Sequence, residues 1–304
     1  MEVESGNWII NYIRDGLIEE IHEGIMQLST QKVFDYTPYY LRSCAKPLQA
    51  TLLVDYGIEL TEKELAFCCG SHSGEDCHIE TALGIMKRFG IEESDLRCGI
   101  HAPLSKAAQK LLIQKCKEPT VLHNNCSGKH IGFLAICKTM NWDISSYDNP
   151  FHPLQKAVKE KINKMCKVEQ KYPITTDGCG VPILSMPLYN ICLGYINLLN
   201  YPQILNAIKK NSYIYGGEDR TDSEIIQKTD NLIAKVGAGG LCAVLNINKK
   251  EAFIVKSNDA SYEARQIALF EYINRLGWGA MEYNNYIQTI FGKVVGEKIF
   301  SILQ

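Results

Sequence analysis

The chain opens on short apolar runs broken by turn residues. Trp8-Ile9-Ile10, Leu17-Ile18 and Gly24-Ile25-Met26-Gln27-Leu28 lie between polar positions, and Asp15-Gly16 has the composition of a tight hairpin turn. These runs predict strands from Trp8 to Val33 that form one edge of a sheet. The period then changes. Pro47 suits the first turn of a helix that carries Leu48, Leu52 and Leu53 inward and stops at Gly57. Thr61-Glu62-Lys63-Glu64 reads as a capping box for a short helix running into Cys69-Gly70. Further helices are predicted over His78 to Phe89, Ser105 to Lys115, Ile131 to Met140, His152 to Cys166 and around Leu188 to Leu199. Polar segments separate them, at Ser71 to Glu75, Leu122 to His130 and Thr175 to Gly180. After Lys235-Val236-Gly237-Ala238-Gly239-Gly240, the stretches Leu241 to Ile247 and Ala252 to Lys256 read as a hairpin turning at Asn248-Lys249-Lys250. Asp259 to Leu276 reads as a helix and Phe291 to Gly296 as the closing tail. Strands at both ends with helices between predict an α/β (α+β) fold. The expectation is a single domain over residues 1–304, with the sheet built from both ends of the chain and a mainly helical subdomain within about 60–210.

Composition narrows the class. The 304 residues are 46% hydrophobic and 22% charged, ordinary for a globular protein able to bury a full core. A net charge of -2, with no Lys/Arg block or basic stripe, argues against nucleic acid as a partner. The start, Met1-Glu2-Val3-Glu4-Ser5-Gly6, lacks the basic-then-apolar plan of a signal peptide, and no apolar run reaches the length of a membrane span. The expectation is a cytoplasmic enzyme or binding protein. The twelve cysteines are scattered, many within apolar stretches such as Cys68, Cys69, Cys137, Cys192 and Cys242, and read as reduced, buried small hydrophobes.

Chemistry is concentrated in the polar segments. In Arg42-Ser43-Cys44-Ala45-Lys46 a hydroxyl and an amine stand three residues apart at a helix start, on one face. An uncharged lysine can serve as the base that a serine nucleophile needs, although S-x-x-K arises widely by chance. Cys126 and Lys129 lie at the N-terminus of a predicted helix, where a thiol pKa falls and where a cation is out of place. Ser71 has the ordinary reading of a turn cap. The histidines read as structural, with His72 and His130 as the exceptions. Cys126 and Cys179 could bind zinc in an open site, but no C-x-x-C or H-E-x-x-H supports them. Lys256, closing the strand Ala252-Phe253-Ile254-Val255-Lys256, has the ordinary reading of a solvated edge lysine.

The order of these clusters resembles a known family. Arg42-Ser43-Cys44-Ala45-Lys46-Pro47, Ser71-His72-Ser73-Gly74-Glu75, Asn125-Cys126-Ser127-Gly128-Lys129-His130 and Thr176-Asp177-Gly178-Cys179-Gly180-Val181-Pro182 together resemble the rhizobial-type L-asparaginases, from about Glu20 to Gly296. The resemblance implies a serine β-lactamase-like fold, with a central, mostly antiparallel sheet flanked by helices. It also implies hydrolysis of L-asparagine to L-aspartate and ammonia, and a homodimer. Carried over by position, Ser43 with Lys46 and Ser71 with Lys256 are two serine-lysine pairs; Cys126, Lys129 and Cys179 match a zinc site completed by water. Arg42, His72, Asp177 and His130 are the substrate-binding expectations. A lysine ligand must be neutral, which zinc would enforce. Lys256-Ser257-Asn258-Asp259-Ala260 departs from the resemblance by lacking an acidic-Gly turn after the strand lysine, and residues 30–40 are rich in aromatics. The alternatives are a glutaminase or other amidase on the same fold, a hydrolase using zinc-bound water, and a catalytically silent thiol or metal-binding relative.

Overall fold

The structure, a computed structural model, describes residues 3–303. β1 (Gly6–Arg14) and β2 (Leu17–Leu28) form the first hairpin. Asp15 and Gly16 both have left-handed backbones, φ 45° and 83°, which is what a two-residue turn between right-twisted strands requires. β3 (Tyr39–Tyr40) leads into a single 3₁₀ turn, Arg42–Ala45, and then α1 (Lys46–Asp55), with Pro47 in its first turn. α2 (Glu62–Cys69) starts on the expected capping box, with Thr61 and Glu64 bonding each other's backbone N–H groups. α3 (Asp76–Phe89) ends on Gly90 at φ 62°. α4 (Lys106–Gln114), α5 (Ser127–Thr139) and α6 (Pro153–Met165) follow.

β4 (Ile174–Thr176) and β5 (Pro182–Met186) flank the turn that holds Asp177 and Cys179, and with β3 make a small sheet. The sequence pattern did not separate these strands from loop. α7 (Leu188–Asn197), α8 (Pro202–Lys210), α9 (Ser212–Tyr215) and α10 (Thr221–Lys228) complete the helical part. The chain returns to the main sheet through β6 (Leu232–Val236), β7 (Leu241–Asn246) and β8 (Glu251–Ser257), then α11 (Tyr262–Arg275), β9 (Tyr286–Gln288) and β10 (Val294–Ile302).

The seven-stranded sheet has the order β6-β7-β8-β2-β1-β10-β9, with antiparallel neighbours throughout. The first hairpin therefore lies inside the sheet, not at its edge. β10 pairs along β1 from Trp8↔Ile302 to Arg14↔Gly296, which puts the end of the chain outside the hairpin.

Alternate residues of the strands feed two cores. Trp8, Ile10, Met26, Phe253 and Val255 meet Ala268, Phe270 and Tyr272 of α11 on one face. Ile25, Ala243 and Ile254 meet the helical layer around α1, α2, α5 and α7 on the other. Each fully buried large aliphatic side chain contributes about 1.5–3 kcal/mol, so helices are held on both faces. Among the described residues no helix is long and apolar enough to cross a membrane.

Candidate active site

The site forms where α1, α2, α5, the β4–β5 turn and β6 converge. Arg42, just before Ser43, has a left-handed backbone at φ 46°, a costly conformation for a residue with a Cβ. Its side chain is held by Asp177, with Nε 2.7 Å from Oδ1. The turn after it puts Ser43 half-buried at the helix entry, and Ser43 Oγ has no hydrogen-bond partner among the described residues. Lys46, one turn on, is 1% exposed. Its Nζ donates to Ser71 Oγ and to the carbonyl of Asn125, both at 2.9 Å. Burial pulls the Lys46 amine down to about 8; the Cys126 thiolate opposes this, and the charges of Lys235 and Lys129 reinforce it.

Ser71 is placed by backbone. Its N–H donates to the Tyr215 carbonyl at 3.0 Å. Gly70 makes this approach possible, since a Cβ there would sit 2.0 Å from the Tyr215 oxygen. The Ser71/Lys256 pair is not formed. Lys256 Nζ donates to the carbonyl of Ser257 and lies 6.0 Å from the Tyr39 ring centroid. Its strand, β8, is separated from the sheet edge by β7 and β6, which is why a lysine at its end does not reach the serine.

The lysine that sequence reasoning missed is Lys235. It is fully buried on β6, with Nζ 3.0 Å from Asp222 Oδ2, and 5.3 Å from the Tyr215 ring centroid. The available signal was a charge inside the apolar run Leu232-Ile233-Ala234-Lys235-Val236, just ahead of a glycine-rich turn.

Cys126 and Lys129, at the start of α5, lie by the β4–β5 turn that carries Cys179. All three are nearly buried, and Lys129 Nζ lies 2.9 Å from Cys179 Sγ. The Cys126 thiol is drawn well below its usual pKa, first by Cys179, against burial, and then by the Lys46 and Lys129 charges. The Cys179 thiol is correspondingly pushed up. Burial works to lower Lys129, but the two sulfurs outweigh it and raise its pKa. Asp177 Oδ2 stands 3.9 Å from Cys179 Sγ. Burial would raise the Asp177 carboxyl, yet Lys129 and Arg42 hold it below its usual value. Two sulfurs and one amine in a dry pocket match the N/S donor set of a zinc site with an open position, so these residues fit the metal.

His72 is tied into the protein on every side. It is fully buried between Phe67 and His78, its Nδ1 accepts the Gly74 N–H, and its Nε2 meets Ser127 Oγ at 2.9 Å. With both nitrogens engaged and the ring buried, it shapes the loop after Ser71. His130 is also fully buried, with Nδ1 2.6 Å from the Tyr147 hydroxyl. Its Nε2 has no partner among the described residues. Glu75, Cys77 and His78 also converge, but His78 Nδ1 accepts the Glu75 N–H and Nε2 meets the Tyr213 carbonyl, which makes this group a helix cap.

A family model described as L-asparaginase II matches residues 10–298. The chain belongs to the L-asparaginase II family. Membership makes it an amidohydrolase, in agreement with the order of clusters read from the sequence. Among curated proteins no match is found. Among solved structures the chain is similar to a D-alanine carboxypeptidase, AmpC, from Burkholderia cenocepacia, at 13% identity over 90% of this chain and 93% of that one. The TM-score is 0.37, too low to bear on the site.

Proposed function

We propose that this L-asparaginase II family member hydrolyses L-asparagine to L-aspartate and ammonia through a serine ester. The observation that carries the reading is the buried Lys46 amine, hydrogen-bonded to Ser71 and one helical turn from the open hydroxyl of Ser43. Ser43 Oγ attacks the side-chain amide carbon, and its proton passes to neutral Lys46. The tetrahedral intermediate collapses with cleavage of the C–N bond as the Lys46–Ser71 pair returns a proton to the leaving nitrogen, giving ammonia. Water then attacks the ester, the same pair takes its proton, and Ser43 is released with the aspartate product. Backbone N–H groups around Ser43 suit the developing oxyanion, a contribution of about 3 kcal/mol in comparable sites.

Zinc held by Cys126, Lys129 and Cys179 would supply a fixed charge and an open position for a polar group of the substrate. The paired Arg42 and Asp177 beside it offer a cation and an anion to the two ends of an amino acid. Lys235 replaces Lys256 as the third lysine of the cleft.

One observation favours a second assignment of the nucleophile. Lys46 Nζ contacts Ser71 Oγ directly, so Ser71 could carry the acyl group, although it is only 1% exposed. Intact-mass measurement with a slow amide or ester substrate tests both. An acyl adduct is expected on wild type and on Ser71→Ala and absent from Ser43→Ala; adduct persisting in Ser43→Ala would overturn the assignment. Comparing ammonia release from asparagine and glutamine fixes the substrate.

A further inference from the structure

β6 is the edge strand of the sheet, and its outward backbone groups are closed by side chains. One oxygen of Asp222, Oδ2, accepts the Lys235 ammonium at 3.0 Å and the Val236 N–H at 3.2 Å. Lys235 also donates to the Val236 carbonyl at 3.0 Å, while the Tyr215 hydroxyl donates to the Ala234 carbonyl at 3.0 Å. Both charged side chains are fully buried. Tyr215 links this cluster to the site: its ring faces the Lys235 ammonium, and its carbonyl holds the N–H of Ser71.

A structural demand alone does not account for the pair. Neutral polar side chains could meet the Val236 N–H and C=O without desolvating two ions, so closing the strand does not by itself call for charges. The carboxylate is also poorly satisfied, since among the described residues Asp222 Oδ1 has no hydrogen bond and meets Arg220 Nε only as an ion pair at 4.0 Å. The geometry is explained if the ammonium is needed where it stands. We propose that Asp222 is a positioning residue for the amide hydrolysis: by gripping both the Lys235 ammonium and the Val236 N–H, it fixes a positive charge against Tyr215, the residue whose carbonyl anchors Ser71 of the Lys46–Ser71 pair. The inference rests on the reading of the function given above.

The test measures ammonia release from L-asparagine, with a thermal melt for each protein, on wild type, Asp222→Asn, Asp222→Glu, Lys235→Met and the double variant Asp222→Asn/Lys235→Met. Asp222→Asn keeps the shape and removes the charge. Its kcat per folded chain is expected to fall about 100-fold while KM stays within about threefold. Asp222→Glu, which restores the charge, should recover about tenfold of that loss. The double variant should be no slower than Lys235→Met alone, because Asp222 acts through the lysine. The proposal is overturned by an Asp222→Asn kcat within about threefold of wild type, by a loss that only tracks the folded fraction, or by single losses that multiply in the double variant. If Asp222→Asn does not fold, the double variant, which leaves no unpaired buried ion, carries the comparison with Lys235→Met. Wild-type protein that releases no ammonia from asparagine fails the functional reading itself, and this inference with it.

Discussion

Lys46 Nζ lies 2.9 Å from Ser71 Oγ, although Lys46 opens α1 and Ser71 sits in the loop after α2, 25 positions on. The contact depends on Gly70, which lets the chain before Ser71 pass against the Tyr215 carbonyl.

Gly70→Ala should therefore harm both fold and activity. The added methyl would meet a backbone oxygen at 2.0 Å, and the Ser71 N–H bond to that oxygen would have to lengthen. A loss of about 1–3 kcal/mol is expected in a urea titration, with kcat down more than about tenfold under conditions where the variant is fully folded. Unchanged stability would show that the close approach is not required.

Lys256→Met is expected to leave kcat within about threefold of wild type. The lysine donates to its own neighbour's carbonyl, lies by Tyr39, and has no hydrogen bond to either serine among the described residues. A loss approaching that of Lys46→Met in the ammonia assay would return Lys256 to the site.

Metal content tests the thiol and amine cluster. Protein purified without chelator is expected to hold about one zinc ion per chain, by elemental analysis. Cys179→Ser should lose most of it, and chelation should lower the melting temperature of wild type but not of the variant. Wild type with no zinc after refolding in its presence, and a melt indifferent to chelator, would count against the site.

Stability should fall on mild acidification. Burial holds His72 well below its usual pKa, with neighbouring His78 and Lys46 adding to the effect, and burial lowers His78 against the pull of the Tyr213 carbonyl. Below the unfolded value of about 6.5 the unfolded chain binds protons that the folded one refuses. The contribution of these rings is thus whole above about pH 7 and declines as pH drops, by up to about 1.4 kcal/mol per unit for each histidine. Denaturant midpoints at pH 7.5 and 5.5 measure it, with a flat profile as the contrary outcome.

Local chemistry was legible in the sequence where a few adjacent residues determine it. The Asp15-Gly16 turn, the Thr61/Glu64 capping box and Pro47 at a helix start all form as expected. The position of the first hairpin was not, because its outer neighbour β10 comes from the far end of the chain and shows no local sign of the pairing. β6 was hidden by its own charge, since Lys235 interrupts the apolar pattern that marks a strand, and its partner Asp222 lies on another element. The family order of clusters singled out Ser43, Lys46, Ser71, Cys126, Lys129, Asp177 and Cys179 as site expectations. It could not distinguish a strand lysine at the sheet edge from one two strands further in. His72 shows the same limit from the other side, a polar loop residue whose burial is decided by Phe67 and His78 stacking on it.

The closed edge of β6 also bears on how the protein avoids its own kind. A bare edge strand is a template for pairing with another chain, and this one is apolar enough to invite it. Its outward bonding positions at Ala234 and Val236 are occupied instead by Asp222, Tyr215 and Lys235. The groups that arrange charge in the cleft are thus also the ones that keep the sheet from growing, and variants there should show lower solubility on heating along with any change in turnover.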